Sequence, residues 1–152
     1  MKNIFIDINV LVDVFANRIP FIDSSLKIYN IGIQKKIALF TSSNTISTIH
    51  YILKKSISEE KTRIAINHIL THISIIPVDI NILKKSLKSN HKDFEDAIQI
   101  VSAQSINDMN CIVTRDLKDY KFAEINVMTP DDFLNKLIDL SLLTITTNCY
   151  IC

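Results

Sequence analysis

The chain has 152 residues, 47% of them hydrophobic, and a formal net charge of +1. That length and apolar content suit one globular domain with its own core, and the near-neutral balance excludes a protein that coats nucleic acid through sheer basic excess. No apolar run approaches the roughly 20 residues of a membrane span, and Met1-Lys2-Asn3-Ile4-Phe5-Ile6-Asp7 lacks the apolar stretch of a signal peptide, so a cytoplasmic protein without membrane attachment is expected.

The first predicted strand, Asn3 to Ile6, runs into Asp7, after which Ile8-Asn9-Val10-Leu11 opens a helix. Asp7 thus sits at a strand's carboxyl end, where either it or Asn9 also suits a helix cap. Asp13, one turn beyond Asn9, reads equally as a cleft residue or a solvated one. Gly32 is the only glycine, which excludes a glycine-rich phosphate loop and the common dinucleotide fingerprint. The second strand, Ile37 to Phe40, leads to a helical segment carrying Asn44, Thr48 and His50, and the third spans Ser74 to Pro77. An amphipathic helix then begins near Asp93, with Phe94, Ala97, Ile98, Val101 and Ile106 at roughly helical spacing, one face packing on a sheet.

The fourth strand, Cys111 to Thr114, precedes Arg115, Asp116 and Asp119, and a short fifth spans Asn126 to Met128. Thr129-Pro130-Asp131-Asp132 announces the last helix, with a threonine to cap, a proline for the first turn and acids to complement the dipole. That helix is expected to reach about Ile138, with residues 1–138 forming the domain and 139–152 a tail. From Ser141 to Cys152 charge and periodicity fade, as in an appendage or edge element. Cys111 reads as strand packing. Cys149 and Cys152 have CxxC spacing but neither a second pair nor a histidine cluster to complete a zinc site.

Short strands alternating with helices are the pattern of a parallel sheet with crossover helices on both faces. Such crossovers are right-handed, and ligands bind outside the strands' carboxyl ends. Read singly, each acid has an ordinary role: Asp93 with Asp96 suits a capping pair, and Asp116 with Asp119 suits a turn. Their recurrence shifts the balance, because Asp7, Asp96 and Asp116 come from three segments that one topology gathers. Two carboxylates about 4 Å apart repel by about 4 kcal/mol at an effective dielectric near 20, so a cluster needs protons or a cation. Oxygen ligands favour Mg²⁺ or Mn²⁺, and such an ion acidifies water and neutralises charge on a phosphodiester. Phosphate-ester hydrolysis follows.

Three segments, Phe5-Ile6-Asp7-Ile8-Asn9-Val10-Leu11, Asp93-Phe94-Glu95-Asp96-Ala97 and Val113-Thr114-Arg115-Asp116-Leu117-Lys118-Asp119-Tyr120, together resemble the PIN-domain nucleases, which include the VapC-type toxins of bacterial toxin–antitoxin pairs. The resemblance covers Lys2 to about Leu137. It implies a three-layer α/β/α sandwich with a central, mainly parallel sheet, Mg²⁺ or Mn²⁺ as cofactor, RNA as substrate, an antitoxin protein as partner, and a homodimer. It also implies that Asp7, Asp96 and Asp116 are the catalytic, metal-holding acids. Asp93 and Asp119 then stand as outer helpers, and Asn9, Thr114 and Arg115 as supporting members of the matching motifs.

One position departs from that pattern. Where these nucleases usually carry a glutamate after the second strand, this chain has Thr48, whose hydroxyl supplies no negative charge; Asn44 is a candidate neutral ligand one turn earlier, and His50 fits only with a shifted register. The departure leaves a second reading open, a PIN-like module that binds RNA or protein without cutting. A haloacid-dehalogenase-type phosphatase is a weaker rival, since Asn9 stands where that chemistry needs an acid. For RNA, Arg115 and Lys118, which flank Asp116, are the best-placed cations, while Lys54, Lys55, Lys84, Lys85, Lys88, Lys92 and Lys121 read as a solvated face. Tyr51, Phe94, Tyr120 and Phe122 are candidates to stack bases, Phe94 reading rather as core.

Overall fold

Along the first strand, β1 (Lys2–Ile6), Ile4 and Ile6 enter one hydrophobic core and Phe5 the other. The fourth strand, β4 (Met109–Val113), divides in the same way, with Cys111 and Val113 on one side and Ile112 on the other. Successive strand side chains point to opposite faces, so the last three residues of both central strands are apolar on either side and demand cover on both. The computed structural model describes residues 1–147. It contains three further strands, β2 (Ile37–Ser42), β3 (Ser74–Ile76) and β5 (Val127–Met128).

The first core is closed by α1 (Ile8–Phe15), α2 (Ile22–Ile33), α3 (Ser43–Leu53), α4 (Glu59–His72) and α7 (Pro130–Thr147), through residues such as Leu11, Ile28, Ile49, Ile69 and Phe133. On the other face, α5 (Ile80–Lys88) and α6 (Phe94–Gln104) bring Ile82, Ile98, Ile100 and Ala103 against Phe5 and Ile112. The result is the three-layer α/β/α arrangement. All five strands are parallel, in the order β3-β2-β1-β4-β5. The chain therefore builds outward from β1 in one direction and then returns to pair β4 on its other side. That reversal between β1 and β4 opens a crevice at their carboxyl ends, the usual ligand position in such sheets.

Each expected strand is present. The last helix runs past Ile138 to Thr147, because the intervening segment holds no glycine or proline to stop it. Its start is as expected: Thr129 Oγ1 accepts from the Asp132 N–H at 3.1 Å and donates to the Asp132 carboxylate at 2.6 Å. The Cys149 and Cys152 pair lies outside the described residues. Cys111 is a buried, free thiol. Among the described residues no helix is long and apolar enough to cross a membrane.

Gly32 lets α2 approach β2 closely. A Cβ placed there would meet the Leu39 side chain, with Cδ1 at 2.3 Å, and Leu39 is itself core. Gly32→Ala is expected to lower stability by about 1–3 kcal/mol, the usual cost of overpacking, read as a shift of the urea midpoint at unchanged slope.

Candidate active site

Asp7 forms the base of the crevice. It precedes α1 but makes no side-chain capping bond; its carboxylate is turned inward and is 2% exposed. Burial raises its pKa above the ordinary carboxylate value, opposed first by the Thr114 hydroxyl. Thr114 Oγ1 donates to Asp7 Oδ2 at 2.5 Å, and accepts from Asn9 Nδ2 at 3.2 Å and from the Asp116 N–H at 3.0 Å. Asn9 Oδ1 accepts in turn from the Arg115 N–H at 3.2 Å. A hydroxyl offers one proton and two lone pairs, so Thr114 is fully used in joining the ends of β1 and β4.

The second carboxylate oxygen, Asp7 Oδ1, is buried without a hydrogen-bond partner. Two buried side chains stand beside Asp7. Gln99 accepts the Ile8 N–H through Oε1 at 3.3 Å, while its Nε2 makes no bond of ordinary geometry. Tyr120 faces Asp7 and Asp96, and its hydroxyl likewise lacks a hydrogen bond of ordinary geometry. Burial first, then the charges of Asp7 and Asp96, push the Tyr120 pKa well above the usual phenol value, which keeps the hydroxyl protonated.

The first turn of α6 brings the other acids. Asp93 caps the helix, Oδ1 accepting from the N–H groups of Glu95 at 2.8 Å and Asp96 at 3.2 Å. Asp96 is thereby free of capping duty. It is half-buried, and burial, followed by the charges of Asp7, Asp93, Asp119 and Glu95, raises its pKa to about 7. Glu95 Oε1 is also buried and unpartnered. At the mouth, Asp116 and Asp119 are exposed, and contact with Asp116 is the largest cause of a raised Asp119 pKa.

The acids thus divide into Asp7 with Asp96 inside and Asp116 with Asp119 outside. Among the described residues, no three of His, Cys, Asp and Glu form a group that holds one ion by themselves. Uncompensated carboxylates repel, which keeps such a group apart. The donor set nonetheless fits a hard divalent cation: it is all oxygen, Asp7 Oδ1 and Glu95 Oε1 are buried without a hydrogen bond of ordinary geometry, and burial with the charges of its acidic neighbours raises the Asp96 pKa to about 7.

A family model described as PIN domain matches residues 3–118, and ribonuclease VapC1 of Aquifex aeolicus (strain VF5) is 30% identical over 140 residues, covering 89% of this chain and 95% of that protein. The chain belongs to the PIN-domain family of ribonuclease VapC. A toxin–antitoxin complex from Klebsiella pneumoniae contains a similar chain, with a TM-score of 0.60 at 26% identity over 83% of this chain and 96% of that one. The DNA-bound VapBC of Salmonella typhimurium has a TM-score of 0.63 at 14% identity, over 86% of this chain and 99% of that chain, which speaks to fold alone. The PIN-domain match includes Asp7, Asp96 and Asp116 and stops before Asp119.

Elsewhere the PIN domain departs from the sequence expectations. Asp13 is neither solvated nor open to the crevice: it is fully buried, 2.8 Å from Arg115 Nε. Burial raises its pKa against the charges of Arg115 and Arg18. Arg115 also lays its guanidinium 4.0 Å from the Phe21 ring centroid, so it is tied inward rather than free beside Asp116. Tyr120 is 1% exposed and stacks no base, because its ring is part of the second core; Phe94 is 44% exposed, since it stands at the first position of α6, ahead of the turns that pack on the sheet. Thr48 is half-buried and its hydroxyl donates back to the Asn44 carbonyl at 3.4 Å. His50 pairs with Glu59 at 3.0 Å on the surface. Gln99, unremarked in the sequence, had a readable signal: an amide between Ile98 and Ile100 in a helix that packs on a sheet. A cavity of about 700 Å³ between α5 and α6 contains none of the crevice acids.

Thr114→Val keeps the shape but leaves three polar groups without their shared partner. A loss of about 2 kcal/mol is expected from the cost of buried unsatisfied groups, with Thr114→Ser close to the parent, by urea denaturation. For Asp96, the folded pKa of about 7 exceeds the ordinary 3.8, so between those values the folded chain holds more protons than the unfolded one. Stability therefore falls as pH rises through that window. Thermal melts should show the parent gaining stability from pH 8 to pH 5, and Asp96→Asn gaining less while being the more stable protein at pH 8.

Proposed function

We propose that this chain is a divalent-metal-dependent endoribonuclease, the toxin of a toxin–antitoxin pair. The observation that carries the reading is the excess of carboxylate in the crevice: Asp96 raised to about 7 by burial and four acidic neighbours, beside a buried Asp7 oxygen without a hydrogen bond of ordinary geometry. The adjacent guanidinium does not relieve it, being paired with Asp13. In this reading Asp7 and Asp96, with Asp116 and Asp119 at the mouth, are the residues that would hold Mg²⁺ or Mn²⁺. Bound there, such an ion would supply an acidified water and positive charge to stabilise a phosphodiester. Thr114 fixes the orientation of the Asp7 carboxylate, Asp93 frees Asp96 by taking the capping bonds, and Tyr120 and Gln99 keep bulk water from beneath the acids. Relatives solved as toxin–antitoxin complexes support an antitoxin protein as the physiological restraint.

Thr48 supports a second reading, a module that binds without cutting, because its hydroxyl adds no charge and is engaged by its own helix. The two readings separate on a panel of structured and unstructured RNAs incubated with Mg²⁺ or Mn²⁺. The nuclease reading expects cleavage by the parent, loss by more than about 100-fold in Asp7→Asn and Asp96→Asn, and a gain in Mn²⁺ affinity on the order of 10-fold in Thr48→Glu. Metal-independent RNA binding with no cleavage on any RNA would leave the binding module standing instead.

A further inference from the structure

Beside the acids lies a second cavity, about 500 Å³, lined by Lys92, Leu117, Lys118, Asp119, Lys121 and Phe122. We propose that it is a stacking subsite for one unpaired nucleotide of a single-stranded RNA, adjoining the phosphodiester to be cut. The proposal rests on the ribonuclease reading and adds to it the kind of strand recognised and the residues that recognise it.

The lining has the two chemistries that such a ligand needs. Three of its six residues are lysines, which match phosphates, and Phe122 is 51% exposed, which leaves ring surface for a base. That ring is already oriented. Lys121 Nζ lies 4.7 Å from its centroid, and the His91 ring braces it at 6.2 Å, tilted by 59°. Burial lowers the His91 pKa, so the brace is a neutral ring rather than another cation. The volume is within the range of small-ligand pockets. By contrast, the larger cavity between α5 and α6 sets Asp79 and Glu124 against one lysine, Lys85, and offers a polyanion nothing.

Position completes the case. Asp119 is both a wall of this cavity and the neighbour of Asp116, and Lys92 is close enough to act on Asp119 electrostatically while directly preceding the α6 cap. A base stacked on Phe122 sets its flanking phosphates between the lysines and the acids. A base inside a duplex has both faces stacked and its edge paired, and reaches such a pocket only by leaving the helix.

The test measures binding without cleavage: fluorescence anisotropy of a short unstructured oligoribonucleotide on the full chain in EDTA, against the same sequence annealed into a duplex. The single strand should bind more tightly. Phe122→Ala should weaken it about 10-fold to 100-fold, the loss of one base stack, with Phe122→Trp restoring it and duplex binding unmoved. Lys118→Gln and Lys121→Gln should each reduce the log–log salt slope by about 0.7. All of these side chains are exposed, so the variants keep the fold. Equal affinity of parent and Phe122→Ala, a duplex bound as well as the single strand, or no RNA binding by the parent would each overturn the subsite. The nuclease reading fails separately: a Phe122-dependent affinity without metal-dependent cleavage sustains the subsite and removes the nuclease, and cleavage with a KM indifferent to Phe122 does the reverse.

Discussion

A single hydroxyl, that of Thr114, holds the crevice together. It meets the buried Asp7 carboxylate from β4 and at the same time receives Asn9 from α1 and the backbone of Asp116. The two strands it joins are neighbours in the sheet only because the chain reverses direction there. Local sequence, topology and chemistry therefore meet at one atom. Without that bond Asp7 would lose the strongest of the contacts that oppose its burial, leaving a charge among apolar side chains with weaker support from Tyr120, Ile8 and Gln99.

The remainder of the site is stabilised from a distance. Asp93 satisfies the first turn of α6, so Asp96 can sit in the crevice without a structural task. The sheet beneath is apolar on both faces, and its two cores absorb the strain of a cluster that opposes folding. Sites of this kind commonly lower the stability of the protein that carries them. Here the opposition is electrostatic and local, and it lies in the acids rather than in the backbone.

The strands were legible because short apolar runs ending in an acid or a turn leave little choice, and β1 and β4 show it in Ile4-Phe5-Ile6 and Cys111-Ile112-Val113. The nature of Asp93 was legible too, since an acid opening an amphipathic helix is a cap on ordinary grounds. What could not be read was depth. Asp13 and Tyr120 carry polar groups that sequence patterns send to the surface, yet Asp13 finds Arg115, 102 positions away in the pairing of α1 with the loop after β4, and Tyr120 is enclosed by α6. Phe94 went the other way, as periodicity does not say where a helix begins to touch its sheet. The end of α7 was obscured because a stretch of Leu, Ile, Ser and Thr weakens the amphipathic signal without breaking the backbone.

The inward commitment of Arg115 has a consequence for how the two halves of the cleft divide their labour. With the guanidinium neutralised by Asp13 and covered by Phe21, the crevice and its surroundings carry opposite signs: acids within, and Lys92, Lys118 and Lys121 along one side. A polyanion approaching this surface is drawn to one zone and turned away from the other. The pairing of two residues beneath the site thus sets the sign of the surface above it.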